Sequence, residues 1–289
     1  MTIFELVKLT LDELYQEGLA QYGTATKLDA EITAKLAYLK TSYEKLGNED
    51  RMPVDYRDPA TRFAYVYKYT AAHGNYLLQA LEAARNKVGS NLFTGEALRL
   101  SCIGGGPGSD VVGVLRYLSE HSQEPVKKLT CYLLDGEQGW ADTWTEVGDS
   151  MDEKLGMNVN FQKLDVTRPE SWSAQKRFLK ANLFTLSYFV SEVYAMDTGA
   201  ITEFWKKMFD EASSGALFLY VDNGSPKFNA YFDKQWNSRS DVEAILLETN
   251  KRITPSGAEQ KSEIAEYSAK FAHSPKLQAT VTTRVLRKK

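Results

Sequence analysis

The 289-residue chain has only two cysteines and three histidines. Cys102 and Cys131 both fall inside apolar, strand-like runs, which makes them buried free thiols rather than partners in a disulfide or a metal site. His73, His121 and His273 are scattered far apart and leave a zinc centre almost no ligands, so no metal is expected. No window approaches the roughly 18 uninterrupted apolar residues of a membrane span. The opening MTIFELVKLTLDELYQEG carries Glu5, Asp12 and Glu13 among its apolar positions, which neither a secretory core nor an Arg-rich transit peptide tolerates. Cytoplasmic residence is the expectation, with the nucleus left open. A surplus of one sign of charge is also missing. The formal net charge is -3, which argues against a surface that grips nucleic acid throughout. Internal repeats, low-complexity tracts and the Gly-Lys-Ser/Thr of a phosphate-binding Walker loop are absent too.

What the chain does contain is an ordinary globular balance, 43% hydrophobic and 25% charged. Residues 1–94 read as helices. Phe4, Val7, Leu11, Leu14 and Leu19 fall near helical spacing, and Leu28, Ile32, Leu36 and Leu39 repeat the pattern. Gly47-Asn48 stops the second helix, and Asp58-Pro59 starts a third that runs to about Asn86. This third helix is rich in aromatics. Arg62, Tyr65, Tyr69, His73 and Tyr76 share one face of it, which serves either as packing or as a lid over a crevice.

From residue 97 the grammar changes to strand-length apolar runs at 98–103, 129–134, 159–164, 183–190 and 216–221. Helix-capable segments at 109–121, 138–154, 170–179 and 198–213 lie between them. That alternation is the pattern of an α/β fold, a doubly wound, mostly parallel sheet preceded by a helical N-terminal region. A further helix is expected over 227–249. Two extended runs, EIAEYSAKF and LQATVTTRVL, then make an antiparallel terminal hairpin around His273-Ser274-Pro275. Residues 226–289 hold about twelve Lys and Arg against about seven Asp and Glu. The closing RVLRKK is read as a basic tail, either solvated or a docking patch.

The chemistry concentrates at LSCIGGGPGSD. A strand leads into Gly104, Gly105, Gly106, Pro107 and Gly108, and a helix starts near Ser109. Such crevices at the carboxyl ends of parallel strands bind ligands, and glycine lets the ligand approach the backbone where a Cβ would clash. A dinucleotide loop counted from Gly104 wants glycine or alanine at Ser109, whereas G-x-G-x-G is met by Gly104, Gly106 and Gly108.

In this the chain resembles the class I S-adenosylmethionine-dependent methyltransferases, whose first motif is an apolar strand followed by G-x-G-x-G. The resemblance covers about residues 97–289. It implies a seven-stranded sheet with S-adenosylmethionine as cofactor and the glycines 104, 105, 106 and 108 in its crevice. Asp135, in LLDGE, ends the second strand, where a carboxylate can accept both ribose hydroxyls. Asp165, in QKLDV, ends the third strand, where the family receives the adenine amino group; the alternative for each is a turn-capping aspartate. The family's usual acid two residues before the first glycine is replaced by Cys102. Asp110 is the substitute expected to hold the methionine ammonium, or else a favourable charge in a helix first turn.

SYFVSEVYAM ends the fourth strand, where the family builds its substrate-facing motif, and Tyr188 and Glu192 are the catalytic candidates there beside Ser187 and Ser191. The motifs for exocyclic base amines, for cytosine C5 and for zinc-activated thiols are missing. Tyr65 and Tyr69 are expected at the cofactor, their rings able to approach a sulfonium. Trp140 and Trp144 either stack on adenine or pack in a helix.

The resulting expectation is a methyltransferase core at 95–289 under a helical lid or substrate cap at 1–94. Its acceptor is unidentified, with a small molecule or protein preferred to an rRNA base, so RNA stays open as a partner. An NAD-dependent oxidoreductase and a non-catalytic cofactor-binding scaffold are the rival readings, and the oligomeric state is not specified.

Overall fold

A computed structural model describes residues 2–46, 54–141, 143, 156–174, 176–255 and 261–289. Gly47, Asn48, Trp144 and most of the helix expected over 138–154 lie outside the described residues. Helix α1 (Ile3–Tyr22) opens on a capping box in which Glu5 N–H donates to Thr2 Oγ1 at 3.1 Å and Thr2 N–H donates to Glu5 Oε2 at 2.6 Å. Helix α2 (Ala25–Glu44) follows Thr24 as its cap. Helix α3 (Pro59–Tyr65) begins where Asp58 Oδ1 accepts from Ala60 N–H at 2.9 Å. It runs without a break through a π-helical turn, Val66–Thr70, into α4 (Ala71–Val88). A π turn inserts one residue into the helical register and so swings the face that follows it.

The sheet comprises β1 (Ala97–Ile103), β2 (Lys128–Asp135), β3 (Gly156–Lys163), β4 (Leu183–Ser187), β5 (Leu217–Asn223), β6 (Val242–Ile253) and β7 (Ala279–Lys288), in the order β3-β2-β1-β4-β5-β7-β6. The first five strands are parallel, and β7 runs antiparallel to both β5 and β6. The order reverses between β1 and β4, which places the crevice for a ligand at the carboxyl end of β1.

Period-two alternation gives the central strands, β4 and β5 most fully, two buried faces. Leu217, Leu219 and Val221 of β5 join a cluster built with α1–α4 and with α5 (Ser109–Glu120). Phe218 and Tyr220 join the opposite cluster, with α6 (Ala200–Glu211) and α7 (Pro226–Trp236). Cys102 and Cys131 are buried free thiols. Among the described residues no helix is long and apolar enough to cross a membrane.

Two expectations fail in the last quarter of the chain. The helix over 227–249 stops at Trp236, and 242–253 is strand β6. VEAILLETNKRI has good helix formers, but it pairs with β7 from Val242–Lys288 to Ile253–Ala279, its two ends buried and the residues between them partly or fully exposed at the edge; tertiary pairing overrides propensity. EIAEYSAKF is helical, with Lys261–Ile264 as a 3-10 turn and α8 as Ala265–Phe271. Its Ile264, Tyr267 and Phe271 are buried at helical spacing. The antiparallel pair is therefore β6 with β7, and α8 is an excursion between them. Helix α8 packs on α1, where Tyr267 OH donates to Asp12 Oδ1 at 2.6 Å and Lys270 Nζ to Tyr15 OH at 2.8 Å.

RVLRKK is no tail either. It belongs to β7, where Arg284 pairs with Asp233 at 3.0 Å and Lys288 with Asp241 at 2.5 Å, so two of its charges are spent inside the fold.

Helix α4 crosses α5 at close approach. A Cβ on Gly113 would sit 2.5 Å from Gly74 O, and one on Gly74 would sit 3.0 Å from Ser109 O. Only two helices stripped of side chains at the crossing approach so closely. Gly113→Ala is expected to destabilise the protein by about 1–3 kcal/mol through overpacking. The expected readout is a lower urea midpoint at unchanged slope; an unaltered midpoint would show that the crossing carries no constraint.

Candidate functional site

At the carboxyl ends of β1, β2 and β4 lies a cavity of about 330 Å³. Its sheet side is formed by Gly104 and Pro107 of the glycine loop, by Asp135 after β2, by Leu164–Thr167 after β3, and by Ser187 and Tyr188 after β4. Tyr56, Tyr65 and Trp140 close it from the helical side. Gly104 has φ 66, left-handed backbone, and any Cβ there would run into the Phe189 ring, so glycine is required on both counts. Gly105, Gly106 and Gly108 shape the loop without lining the cavity. Gly105 N–H donates to Leu134 O at 3.1 Å and Gly106 N–H to Asp135 Oδ2 at 2.9 Å.

Asp135 lines the cavity, and its Oδ1 also accepts from Glu137 N–H at 2.9 Å. Burial pushes its carboxyl up to about 7, helped by the negative charges of Glu192 and Glu137 and opposed by the two backbone N–H groups. Asp165 lines the cavity as well. Its Oδ1 accepts from the N–H of Thr167 at 3.0 Å and from the Thr167 hydroxyl at 2.6 Å, and its Oδ2 lies 3.3 Å from Arg168 Nε. Asp165 therefore caps its turn while lining the cavity.

Asp110 sits in the first turn of α5, 3% exposed and not itself a lining residue. It faces the hydroxyls of Thr185 and Ser187, yet Asp110 Oδ2, Thr185 Oγ1 and Ser187 Oγ all lack a hydrogen-bond partner. Burial pushes Asp110 up to about 7 against the pull of those hydroxyls. Ser187 carries this cluster to the cavity wall. A buried carboxylate oxygen with no partner, next to a cavity, is what a ligand ammonium would satisfy. Cys102, where the resemblance wants an acid, is fully buried among apolar neighbours and does not reach the cavity.

A second cavity of about 400 Å³ adjoins the first across Tyr65, Tyr188 and Glu192, which line both. Tyr69 and His73 line this second cavity and not the first. The π turn sets this arrangement: it lies between Tyr65 and His73 and carries Tyr69. Arg62 and Tyr76 on the same face are structural. Arg62 Nη1 donates to Tyr56 O and Arg57 O, both at 2.9 Å, its Nη2 pairs with Glu17, and Tyr76 OH donates to Leu277 O at 2.6 Å.

Tyr188 is held in left-handed backbone at φ 54, a strained position for a tyrosine. Its N–H donates to Val221 O at 2.8 Å, its ring stacks on His73 at 4.0 Å and 11°, and its hydroxyl is buried without a partner. The short helical turn Val190–Val193 that carries Glu192 is fixed by Asp222, whose Oδ2 accepts from Ser191 N–H at 2.8 Å. Tyr43 OH donates to Glu192 Oε1 at 3.2 Å and shares a 2.5 Å hydrogen bond with Tyr56 OH. His73 is held neutral, its pKa pushed down to about 3 by burial and by the charge of Lys276.

The sequence did not single out Tyr43, Tyr56, Lys227 or Lys276, all of which line these cavities. Tyr43 comes from the last turn of α2, where no local pattern separates it from other surface tyrosines. Trp140 is 1% exposed and packs on Tyr56 at 5.1 Å and Tyr65 at 5.9 Å, so packing is its observed role.

A family model described as "Putative SAM-dependent methyltransferase" matches residues 59–266. The chain belongs to that family. It is thus an S-adenosylmethionine-dependent methyltransferase, which sets aside the oxidoreductase and the non-catalytic scaffold. No curated protein matches it. Among solved structures the methyltransferase is similar to the CurJ carbon methyltransferase, at 14% identity over 96% of this chain and 70% of that one, TM-score 0.48. It is also similar to precorrin-6y C5,15-methyltransferase of Geobacter metallireducens, at 10% identity over 73% and 88%, TM-score 0.41. Human N-acetylserotonin methyltransferase, in complex with S-adenosylmethionine, shares 12% identity over 96% and 65%, TM-score 0.40. At these identities the three say nothing about the acceptor.

Asp110, Asp135 and Asp222 each sit near 7, against an ordinary value of 3.8, because burial penalises their charge. Between about pH 4 and 7 the folded methyltransferase therefore holds more protons than the unfolded chain, and these groups make it lose stability as pH rises. Asp110→Asn removes one such cost. Without ligand, the variant is expected to be more stable than the parent at pH 8 by on the order of 2–4 kcal/mol and to converge with it near pH 4. Denaturant melts across that range check this; a variant less stable than the parent at pH 8 contradicts it.

Proposed function

We propose that the methyltransferase holds its cofactor in the first cavity and a small-molecule acceptor in the second, with methyl transfer at the wall the two share. The observation that carries this reading is that wall: Tyr65, Tyr188 and Glu192 line both cavities, and Tyr188 and Glu192 follow the strand end that faces the glycine loop. When bound, S-adenosylmethionine supplies an electrophilic methyl group on a sulfonium. Gly104 leaves room for close approach to the loop, Asp135 accepts from the ribose hydroxyls, and Asp165 accepts from the adenine amino group. Asp110, behind Ser187 of the cavity wall, supplies the negative charge that attracts the cofactor's ammonium to that wall.

On the acceptor side, Tyr43 donates to the Glu192 carboxylate and so fixes its orientation. Glu192 would take the proton that the acceptor heteroatom gives up on methylation, the methyl's bond to the sulfonium sulfur breaking to leave the neutral thioether. Tyr188 lines the same wall and, held in place by its stacking on His73, orients the acceptor, so most of the rate comes from placement. Tyr43, Tyr65, Tyr69 and His73 all come from residues 1–94, which supports the cap assignment for that region over a core at 95–289. The two buried reduced thiols support a cytoplasmic setting.

Two measurements test the reading. Titration with S-adenosylhomocysteine is expected to show at least about tenfold weaker binding for Asp135→Ala, a loss of roughly 1.4 kcal/mol; undiminished binding overturns the cofactor assignment. Methylation with radiolabelled cofactor across metabolite, protein and RNA fractions is expected to label metabolites, with about a hundredfold less label for Glu192→Gln. Label confined to RNA, with transfer falling steeply from low to moderate salt, overturns the small-molecule acceptor in favour of a nucleic acid.

A further inference from the structure

Six aromatic rings line the second cavity, from Tyr43, Tyr65, Tyr69, His73, Tyr188 and Phe228. Three of them form a column: Tyr69 lies on His73 at 5.6 Å and 27°, and His73 on Tyr188 at 4.0 Å and 11°. Walls of this kind favour a flat conjugated ligand, whose faces and edges match the ring quadrupoles. His73 is neutral, so it contributes a ring and no charge.

The charged lining residues fall into two sets, one shared with the first cavity and one not. Glu192 stands at the wall shared with the cofactor cavity. Lys227, Lys276 and Glu44 line the second cavity and not the first, Glu44 being the one acid of this set among the described residues. Lys227 follows Ser225 and Pro226 at the N-terminus of the eleven-residue α7, whose dipole adds positive charge to the set. Neither lysine forms an ion pair among the described residues; Lys276 instead lies 6.0 Å from the Tyr69 ring centroid. Burial pushes the Lys276 amine below its ordinary value, and no carboxylate offsets that cost. Among the described residues, two ammonium groups and a helix N-terminus against one carboxylate leave this set net positive.

We infer that the acceptor is a flat aromatic compound carrying an anionic substituent, bound with the substituent toward Lys227 and Lys276 and its ionisable methyl-accepting group toward Glu192. The inference rests on the assignment of the second cavity to the acceptor. A carboxylate and a phosphate satisfy the same lysines, whereas a cationic substituent in that place would face two ammonium groups, with Glu192 already assigned to the methyl-accepting group and Glu44 left to offset them.

The test uses the full chain saturated with S-adenosylhomocysteine, whose own binding is measured first. Four probes are titrated by calorimetry: 4-hydroxybenzoate, phenyl phosphate, neutral 4-hydroxybenzyl alcohol and cationic benzyltrimethylammonium. At least one anion is expected to bind about tenfold or more tightly than the neutral and cationic probes. Which anion wins separates carboxylate from phosphate. The double variant K227M/K276M is expected to lose that preference while binding S-adenosylhomocysteine as the parent does. Equal or tighter binding of the neutral or cationic probe, no binding of any probe at about 10 mM, or an unchanged preference in the double variant overturns the inference. Failure of S-adenosylhomocysteine to bind would bring down the cofactor assignment as well, so the two failures are told apart.

Discussion

The close crossing of α4 on α5 is the constraint from which the site follows. Helix α5 starts at the glycine loop, and α4 continues the aromatic helix that bears Tyr65, Tyr69 and His73. With Gly74 and Gly113 meeting backbone to backbone, the aromatic face can come no closer and has no reason to sit further away. The π turn then aims the tyrosines: Tyr65 reaches both cavities, and Tyr69 reaches only the second. Tyr43, which hydrogen-bonds Glu192, packs in turn against the rings of Tyr65 and Tyr69. The helical N-terminal residues are thereby part of the site.

Much of the sheet was legible because buried parallel strands leave a plain trace. Runs such as LRLSCI and LTCYLL have one reading when Gly or Asp ends them and a helix-capable segment follows. The edge was illegible for the converse reason. Strand β6 is half-exposed and its residues favour helix, so nothing local records that β7 pairs with it. EIAEYSAKF carried its own correction, since Ile264, Tyr267 and Phe271 are spaced for a helix, but a short run beside a turn also fits a hairpin. The closing basic residues looked like a tail because their acidic partners, Asp233 and Asp241, are about fifty residues away in sequence.

For the site, strand-end positions were the readable ones. Gly104, Asp135, Asp165, Tyr188 and Glu192 all line the first cavity, because the carboxyl ends of parallel strands converge whatever the helices do. Residues delivered by tertiary docking were not readable. Tyr43 hydrogen-bonds Glu192 from 149 residues away, and Lys276 reaches Tyr69 from a connection with no motif. The departure at Cys102 is resolved locally. The cysteine is core, and the nearby unpartnered carboxylate is Asp110.

The central claim is that two adjoining cavities divide cofactor from acceptor. A crystal structure of the methyltransferase with S-adenosylhomocysteine tests it most directly. The account predicts ligand density in the first cavity, bounded by Gly104, Asp135 and Asp165, with the amino acid end toward Ser187 and the second cavity left open. Density in the second cavity among Tyr69, His73 and Lys276 would contradict it.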